Sequence, residues 1–364
     1  MNNKVVHIVG ARPQIIKAAP VSRALRTAGL NEVLVHTGQH YDSELSDLFF
    51  NGLDVPKPNY NLGVGSGSHG VQTARMLEGI EKVIVAEKPG LVLVPGDTNS
   101  TVAAALAATK LKIPVAHIEA GLRSFDMGMA EEINRRVTDH IATLLFAPTE
   151  TAVENLRREG VPGKVVRTGD VMYDLFLVML PKVLESADSI LQEFDLADTD
   201  YAFFTLHRAE NTDDPRAWAA VKRGLRELGR RLPVVWPVHP RAANLLGGFQ
   251  TEGVTMIDPQ PYVTTQALVR NARVVVTDSG GLQKEAAFNG RPCVTLREHT
   301  EWVELITAGV SRLAPPGHCD WWEAVGQASW PEEGIPDGCY GSGAASREIM
   351  AVITRFFRGE IESS

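Results

Sequence analysis

Short runs of consecutive apolar, mostly β-branched residues recur along this chain, and each closes in a polar or glycine-bearing turn. Val5–Val9 runs into Gly10–Pro13 and a helix expected to reach about Ala28. Val33–His36 meets the turn Thr37–Tyr41, and Leu91–Val94 meets Pro95–Thr98 and an alanine-rich helix. Ile113–His117 leads into the loop Ile118–Arg123, and Leu144–Ala147 and Val165–Thr168 follow. A strand that is apolar at every position is buried on both faces, and strands alternating with helices build a parallel sheet clothed on both sides. From Val171 to about Phe194 the apolar positions keep helical spacing, and the polar stretch Asp195–Asp200 ends them. The theme then restarts with Tyr201–Leu206, Val234–Trp236, Val254–Ile257, Val274–Thr277 and Cys293–Leu296. Pro315–Gly343, rich in Gly and Pro, reads as loop around a short helix, and a last helix covers about Ser346–Phe357.

The pattern predicts an α/β protein of two Rossmann-like domains with a cleft between them. The expected divisions are 1–170, a connecting helix and linker over 171–200, a second domain over 201–343, and a C-terminal helix over 344–364 that packs back on the first domain. A chain of 364 residues, 44% of them hydrophobic, is long enough for two cores. Its formal net charge of -8 argues against the basic surface that nucleic-acid binding ordinarily needs. Three widely spaced cysteines, Cys293, Cys319 and Cys339, form no CxxC pair, which fits a reducing compartment and offers no zinc signature. The start of the chain runs straight into a strand pattern, and no run is long enough to span a bilayer. A soluble, cytoplasmic protein is expected, with no membrane and no nucleic acid among its partners.

In open α/β sheets, ligands sit beyond the carboxyl ends of the strands. That rule selects the turns at Gly10–Lys17, Thr37–Tyr41, Pro95–Thr98, Ile118–Arg123, Leu206–Asn211, Pro237–Arg241 and Thr277–Glu285. In the first, Arg12 and Lys17 lie near a helix N-terminus, where a cation is disfavoured unless an anion joins it; they are either a phosphate or carboxylate site or solvated surface charges. Neither a P-loop nor a GxGxxG fingerprint is present. Asp97 can cap the next helix or act chemically. Glu119 follows a buried strand, so it is either a structural partner of Arg123 or a general acid or base with a tuned pKa. Glu131 and Arg135 have the i,i+4 spacing of a surface pair. His207 shares one turn with Arg208 and Glu210, and His239 stands in a similar turn. In Asp278-Ser279-Gly280-Gly281, two glycines let a diphosphate approach the N–H groups of a helix start, Ser279 adds a hydroxyl, and Glu285 one turn on can take ribose hydroxyls.

Taken in order, Gly10-Ala11-Arg12-Pro13 with Lys17, Thr37-Gly38-Gln39-His40, Gly96-Asp97-Thr98, His117-Ile118-Glu119-Ala120-Gly121-Leu122-Arg123, Glu131-Glu132-Ile133-Asn134-Arg135 and Thr277-Asp278-Ser279-Gly280-Gly281 resemble the non-hydrolysing UDP-N-acetylglucosamine 2-epimerases over nearly the whole chain. The resemblance implies a glycosyltransferase-B-like fold and reversible conversion of UDP-GlcNAc to UDP-ManNAc, through anti elimination of UDP and its re-addition to a 2-acetamidoglucal. It implies no metal and no other cofactor, and a homodimer. Asp97, Glu119, Glu131 and His207 would carry the acid/base and positioning work. Arg12, Lys17, Gln39, His40, Arg135, His239, Ser279, Gly280, Gly281 and Glu285 would bind the UDP-sugar. Gln14 stands where many members have Glu, Ala130 where Pro usually precedes the paired glutamates, and Glu301-Trp302-Val303-Glu304 where Glu-Arg-Pro-Glu is usual. Gly10–Gln14 and Glu301-Trp302 resemble the branch that includes UDP-2,3-diacetamido-2,3-dideoxyglucuronate 2-epimerases, the alternative substrate. A glycosyltransferase of the same fold and a hydrolysing epimerase are the rival activities.

Overall fold

The structure is a computed structural model that describes residues 3–39 and 55–361. The chain divides into one unit of residues 1–177 with 338–364 and another of residues 178–337. In the first, all pairings are parallel among β1 (Lys4–Val9), β2 (Asn31–His36), β3 (Tyr60–Asn61), β4 (Leu91–Pro95), β5 (Val115–Ile118), β6 (Leu144–Ala147) and β7 (Lys164–Arg167). Their order is β3-β2-β1-β4-β5-β6-β7. The second unit repeats the scheme with β8 (Ala202–Thr205), β9 (Val234–Pro237), β10 (Val254–Ile257), β11 (Val274–Thr277), β12 (Cys293–Thr295) and β13 (Ser311–Leu313), ordered β10-β9-β8-β11-β12-β13. Each sheet therefore reverses its direction of growth once, between β1 and β4 and between β8 and β11. Such switch points are where the loops after neighbouring strands diverge and leave room for a ligand.

The central strands are apolar at nearly every position because helices cover both faces. Val5, Val6, Ile8, Val9 and all of Leu91–Val94 are buried. Among the described residues, the helices of the first unit include α1 (Arg12–Thr27), α2 (His69–Glu87), α3 (Asn99–Lys110), α4 (Ala130–Ile141), α5 (Glu150–Glu159) and the start of α6 (Val171–Glu193). Small side chains let α3 lie close to its surroundings on every side, and Ala103, Ala104, Ala105, Ala107 and Ala108 are all buried. The later part of α6 lends Val183, Ile190 and Leu191 to the second unit's core, beside Tyr201, Phe203 and Val275. That unit adds α7 (Pro215–Gly229), α8 (Tyr262–Asn271) and α9 (Gly280–Phe288). The chain ends in α10 (Ala345–Phe357), which buries Ile349, Met350, Ile353 and Phe356 with Val21 and Leu25 of α1 in the first unit. Asp174 ties its start down by accepting from Ala345 N at 2.9 Å and Ser346 N at 2.7 Å.

The described elements β3, β13 and α2 have no counterpart in the sequence reading. The two strands are only two and three residues long, too short for a hydrophobic run to mark them. No helix among the described residues is long and apolar enough to cross a membrane.

Candidate active site

In the first unit, the site is built at the β1/β4 switch point and the end of β5. Gln14, buried on the first turn of α1, makes the joint. Its Oε1 accepts from Gly10 N at 2.8 Å and Ala11 N at 3.2 Å, satisfying two donors at a helix start. Its Nε2 donates to the Pro95 carbonyl at 2.8 Å and to Thr101 Oγ1 at 3.0 Å. An ionised glutamate could not bond to the Pro95 carbonyl, so the amide here ties the β1 turn to the β4 turn.

Lys17, one turn further along α1, reaches Glu119 Oε2. Glu119 is buried just past β5 with φ +67°. A non-glycine residue in that region costs on the order of 1 kcal/mol, and such strain persists where the surroundings demand it. Glu119 and Arg123 form no ion pair among the described residues. Arg123 instead pairs with Glu159 Oε2 at 2.6 Å and with Asp139 Oδ2 at 2.7 Å. Asp97, half-buried after β4, accepts from Arg135 Nη1 at 2.6 Å. Arg135 is buried and also donates to Glu132 Oε2 at 3.0 Å. The i,i+4 surface pair suggested by the spacing of Glu131 and Arg135 is therefore replaced by a long-range contact to Asp97 and an i,i+3 contact to Glu132.

The two adjacent glutamates of α4 differ sharply. Glu132 is fully buried and accepts from Ser124 N, Ser124 Oγ, Arg135 and Arg136 at 2.9–3.2 Å. Burial alone would raise its pKa, but the Ser124 N–H and the two guanidiniums lower it on balance. Glu131 is half-buried at the helix start, with no hydrogen-bond or ion-pair partner among the described residues. Of the two, only Glu131 has oxygens to offer a substrate. Gln39 is buried and its Oε1 accepts from Ser100 N at 3.2 Å and Ser100 Oγ at 2.8 Å, joining the end of β2 to the start of α3. His40 and the side chain of Arg12 lie outside the described residues.

In the second unit, the site gathers at the β8/β11 switch point. Asp278 is fully buried after β11. Its carboxylate accepts from His207 N at 3.0 Å, Arg208 N at 2.8 Å and Asn211 Nδ2 at 3.2 Å, and stands 3.1 Å from His207 Nδ1. Burial pushes its pKa up, but the nearby His207 and these donors overcome it and bring it down to about 2. The His207 side chain is 38% exposed, and its ring centroid lies 5.5 Å from that of His239. His239 Nδ1 accepts from Arg241 N at 3.2 Å. Ser279 caps α9, its Oγ accepting from Leu282 N at 3.4 Å. Gly280 and Gly281 form the first turn of α9, and a Cβ on Gly280 would run into Glu301 Oε1. Glu285 is buried one turn on, beside Tyr262; burial and this carboxylate push the phenol well above its ordinary pKa.

The structure thus gathers Lys17, Gln39, Asp97, Glu119, Glu131 and Arg135 in one unit and His207, His239, Ser279, Gly280, Gly281 and Glu285 in the other. Sequence reasoning named neither Asp278 nor the buried His117, Glu132 and Asp139 as site residues. Their spacing to one another is long, and only the adjacency of Asp278 to the glycine turn was a signal. Such an array can move protons at carboxylates and hold a polyanion at a glycine-opened helix start.

A family model described as UDP-N-acetylglucosamine 2-epimerase matches residues 23–354. A Methanococcus maripaludis protein named as a UDP-N-acetylglucosamine 2-epimerase homolog is 49% identical over 313 residues, covering 84% of this chain and 87% of its own. A Pseudomonas aeruginosa protein named UDP-2,3-diacetamido-2,3-dideoxy-D-glucuronate 2-epimerase is 46% identical over 361 residues, covering 97% of this chain and 99% of its own. The crystal structure of Methanocaldococcus jannaschii UDP-GlcNAc 2-epimerase in complex with UDP-GlcNAc and UDP superposes with a TM-score of 0.90 at 40% identity, over 96% of this chain and 99% of that one.

Proposed function

The chain belongs to the UDP-N-acetylglucosamine 2-epimerase family, and on that premise we propose that it interconverts UDP-GlcNAc and UDP-ManNAc by inverting C2. It is an isomerase of nucleotide sugars. One observation carries the residue assignment: Asp97 and Glu119 stand at neighbouring strand ends, each on its own cation, with Glu131 close by in sequence to Arg135. Inversion without a redox cofactor needs a base that takes the C2 proton and an acid that returns one to the opposite face. As the proton leaves, the C2–H electrons form the C1=C2 bond and the C1–O bond breaks onto the β-phosphate oxygen. Asp97, Glu119 and Glu131 divide the removal and return of the proton. In the second unit, Ser279, Gly280, Gly281 and His207 hold the diphosphate, whose charge grows as the bond breaks. Glu285 takes the ribose, and re-addition of UDP to the 2-acetamidoglucal completes the cycle.

The test is a proton NMR time course with UDP-GlcNAc in D2O. Growth of UDP-ManNAc carrying deuterium at C2, with no acceptor added and no free ManNAc released, supports the reading and excludes a transferase or a hydrolysing enzyme. An unchanged C2 proton overturns it. A second reading, with UDP-2,3-diacetamido-2,3-dideoxyglucuronate as substrate, is favoured by the Pseudomonas aeruginosa relative, which aligns over nearly the whole of both chains; the same assay with that sugar decides between them. With this reading goes a cytoplasmic homodimer, tested by sedimentation equilibrium and by cell fractionation.

A further inference from the structure

His117 sits on β5 with its ring fully buried. Its Nε2 lies 2.7 Å from the Gly96 carbonyl oxygen, and its Nδ1 lies 2.7 Å from Asp139 Oδ1. A carbonyl has no proton to give, so Nε2 is the donor. Asp139 also accepts from Gly121 N at 3.0 Å and pairs with Arg123 at 2.7 Å, the surroundings of an ionised carboxylate, so Nδ1 donates as well.

What this ring holds is the turn that bears Asp97. Gly96 has φ +67°, and its N–H donates to the Ile118 carbonyl at 3.0 Å. Its carbonyl takes the His117 proton. Both peptide groups of Gly96 are thus bound to β5, the strand that ends in Glu119. The ring carries one of the bonds that hold the Asp97 turn against the Glu119 turn. We propose that His117 is a positioning residue for the epimerisation: it does not touch the sugar, and it sets Asp97 relative to Glu119 through the Gly96 carbonyl. This rests on the reading of those two carboxylates as acid/base groups.

Two substitutions separate that bond from the rest of the ring's role. His117→Gln keeps a donor near the Nε2 position and loses the one to Asp139. His117→Asn keeps a donor near Nδ1 and loses the bond to Gly96. With UDP-GlcNAc as substrate, His117→Asn lowers kcat by roughly 10- to 100-fold, as an ångström of misplacement does, with KM and the Kd for UDP at wild-type values. His117→Gln retains most of kcat. Equal losses in the two variants, or a fall in kcat that comes only with lost UDP binding, overturn the proposal. Wild-type turnover in His117→Asn beside an inactive Asp97→Asn sinks the positioning role alone. Wild-type turnover in Asp97→Asn sinks the acid/base reading and the positioning role with it. Nitrogen NMR of histidine-labelled wild-type protein does not depend on a variant folding: Nε2 of His117 carries a proton, and a lone pair on Nε2 refutes the bond.

Discussion

Replacing Asp278 by asparagine should weaken the second unit and should do so in a pH-dependent way. The carboxylate is fully buried, yet its pKa falls from 3.8 to about 2. At about 1.4 kcal/mol per unit, that shift is worth about 2 kcal/mol of folding stability. A depressed carboxylate contributes fully above its unfolded value, near 3.8, and loses the contribution as pH falls through the folded value near 2. Asparagine removes the charge and turns an NH2 toward the donors of His207, Arg208 and Asn211, adding roughly 1–3 kcal/mol of mispairing. The variant should therefore be less stable than wild type by roughly 3–5 kcal/mol at pH 7. All 6 tryptophans lie between Trp218 and Trp330, inside the second unit, so urea unfolding followed by indole fluorescence reports on that unit. The gap between wild type and variant should narrow between pH 4 and pH 2. A gap below about 0.5 kcal/mol at pH 7, or one that does not narrow in acid, refutes the reasoning.

Other perturbations have separable outcomes. Gly121→Ala should cost roughly 2–4 kcal/mol, read by thermal unfolding, because φ is +85° and a Cβ would overlap the Ala152 carbonyl oxygen. Gly280→Ala should weaken UDP binding by about tenfold or more, read by calorimetry, because a Cβ would fill the glycine-opened helix start and meet Glu301 Oε1. Glu131→Gln should lower kcat by at least about 100-fold with stability unchanged, as loss of a proton-transfer group does. Glu132→Gln should cost about 1–3 kcal/mol of stability, because its carboxylate is saturated by Ser124, Arg135 and Arg136.

The parallel α/β class was legible because its cause is local: Leu91–Val94 and Val274–Thr277 are apolar throughout, and each meets a turn of polar and glycine residues. The turns themselves were legible through the switch-point rule. Pairing was not. Spacing linked Glu119 to Arg123 and Glu131 to Arg135, but Arg123 pairs with Asp139 and Glu159, and Arg135 is claimed by Asp97 from another turn and by Glu132 on its own helix. Asp139 and Glu159 sit on helices with nothing in their neighbourhood to mark them, and their partner Arg123 lies 36 residues from Glu159 in the chain. β3 and β13 escaped because strands of two or three residues exist only by virtue of the neighbour they pair with.

One arrangement occurs in both units and is put to different use. Each sets a histidine at or just beyond the carboxyl end of a strand against a fully buried aspartate that also accepts backbone N–H groups: His117 with Asp139, and His207 with Asp278. Exposure separates them. The His117 side chain is 0% exposed, and its second nitrogen is spent on a backbone carbonyl, so it can only pass order to the chain around it. The His207 side chain is 38% exposed beside the glycine turn region of α9, so it can meet a ligand directly. Their asparagine variants should fail in opposite ways. His207→Asn should weaken UDP binding by roughly 10- to 100-fold, the worth of a charge-assisted hydrogen bond, whereas His117→Asn should leave UDP affinity intact and lower kcat. Isothermal titration with UDP beside steady-state kinetics reads both. Unchanged UDP affinity in His207→Asn would move that ring from the diphosphate to the sugar.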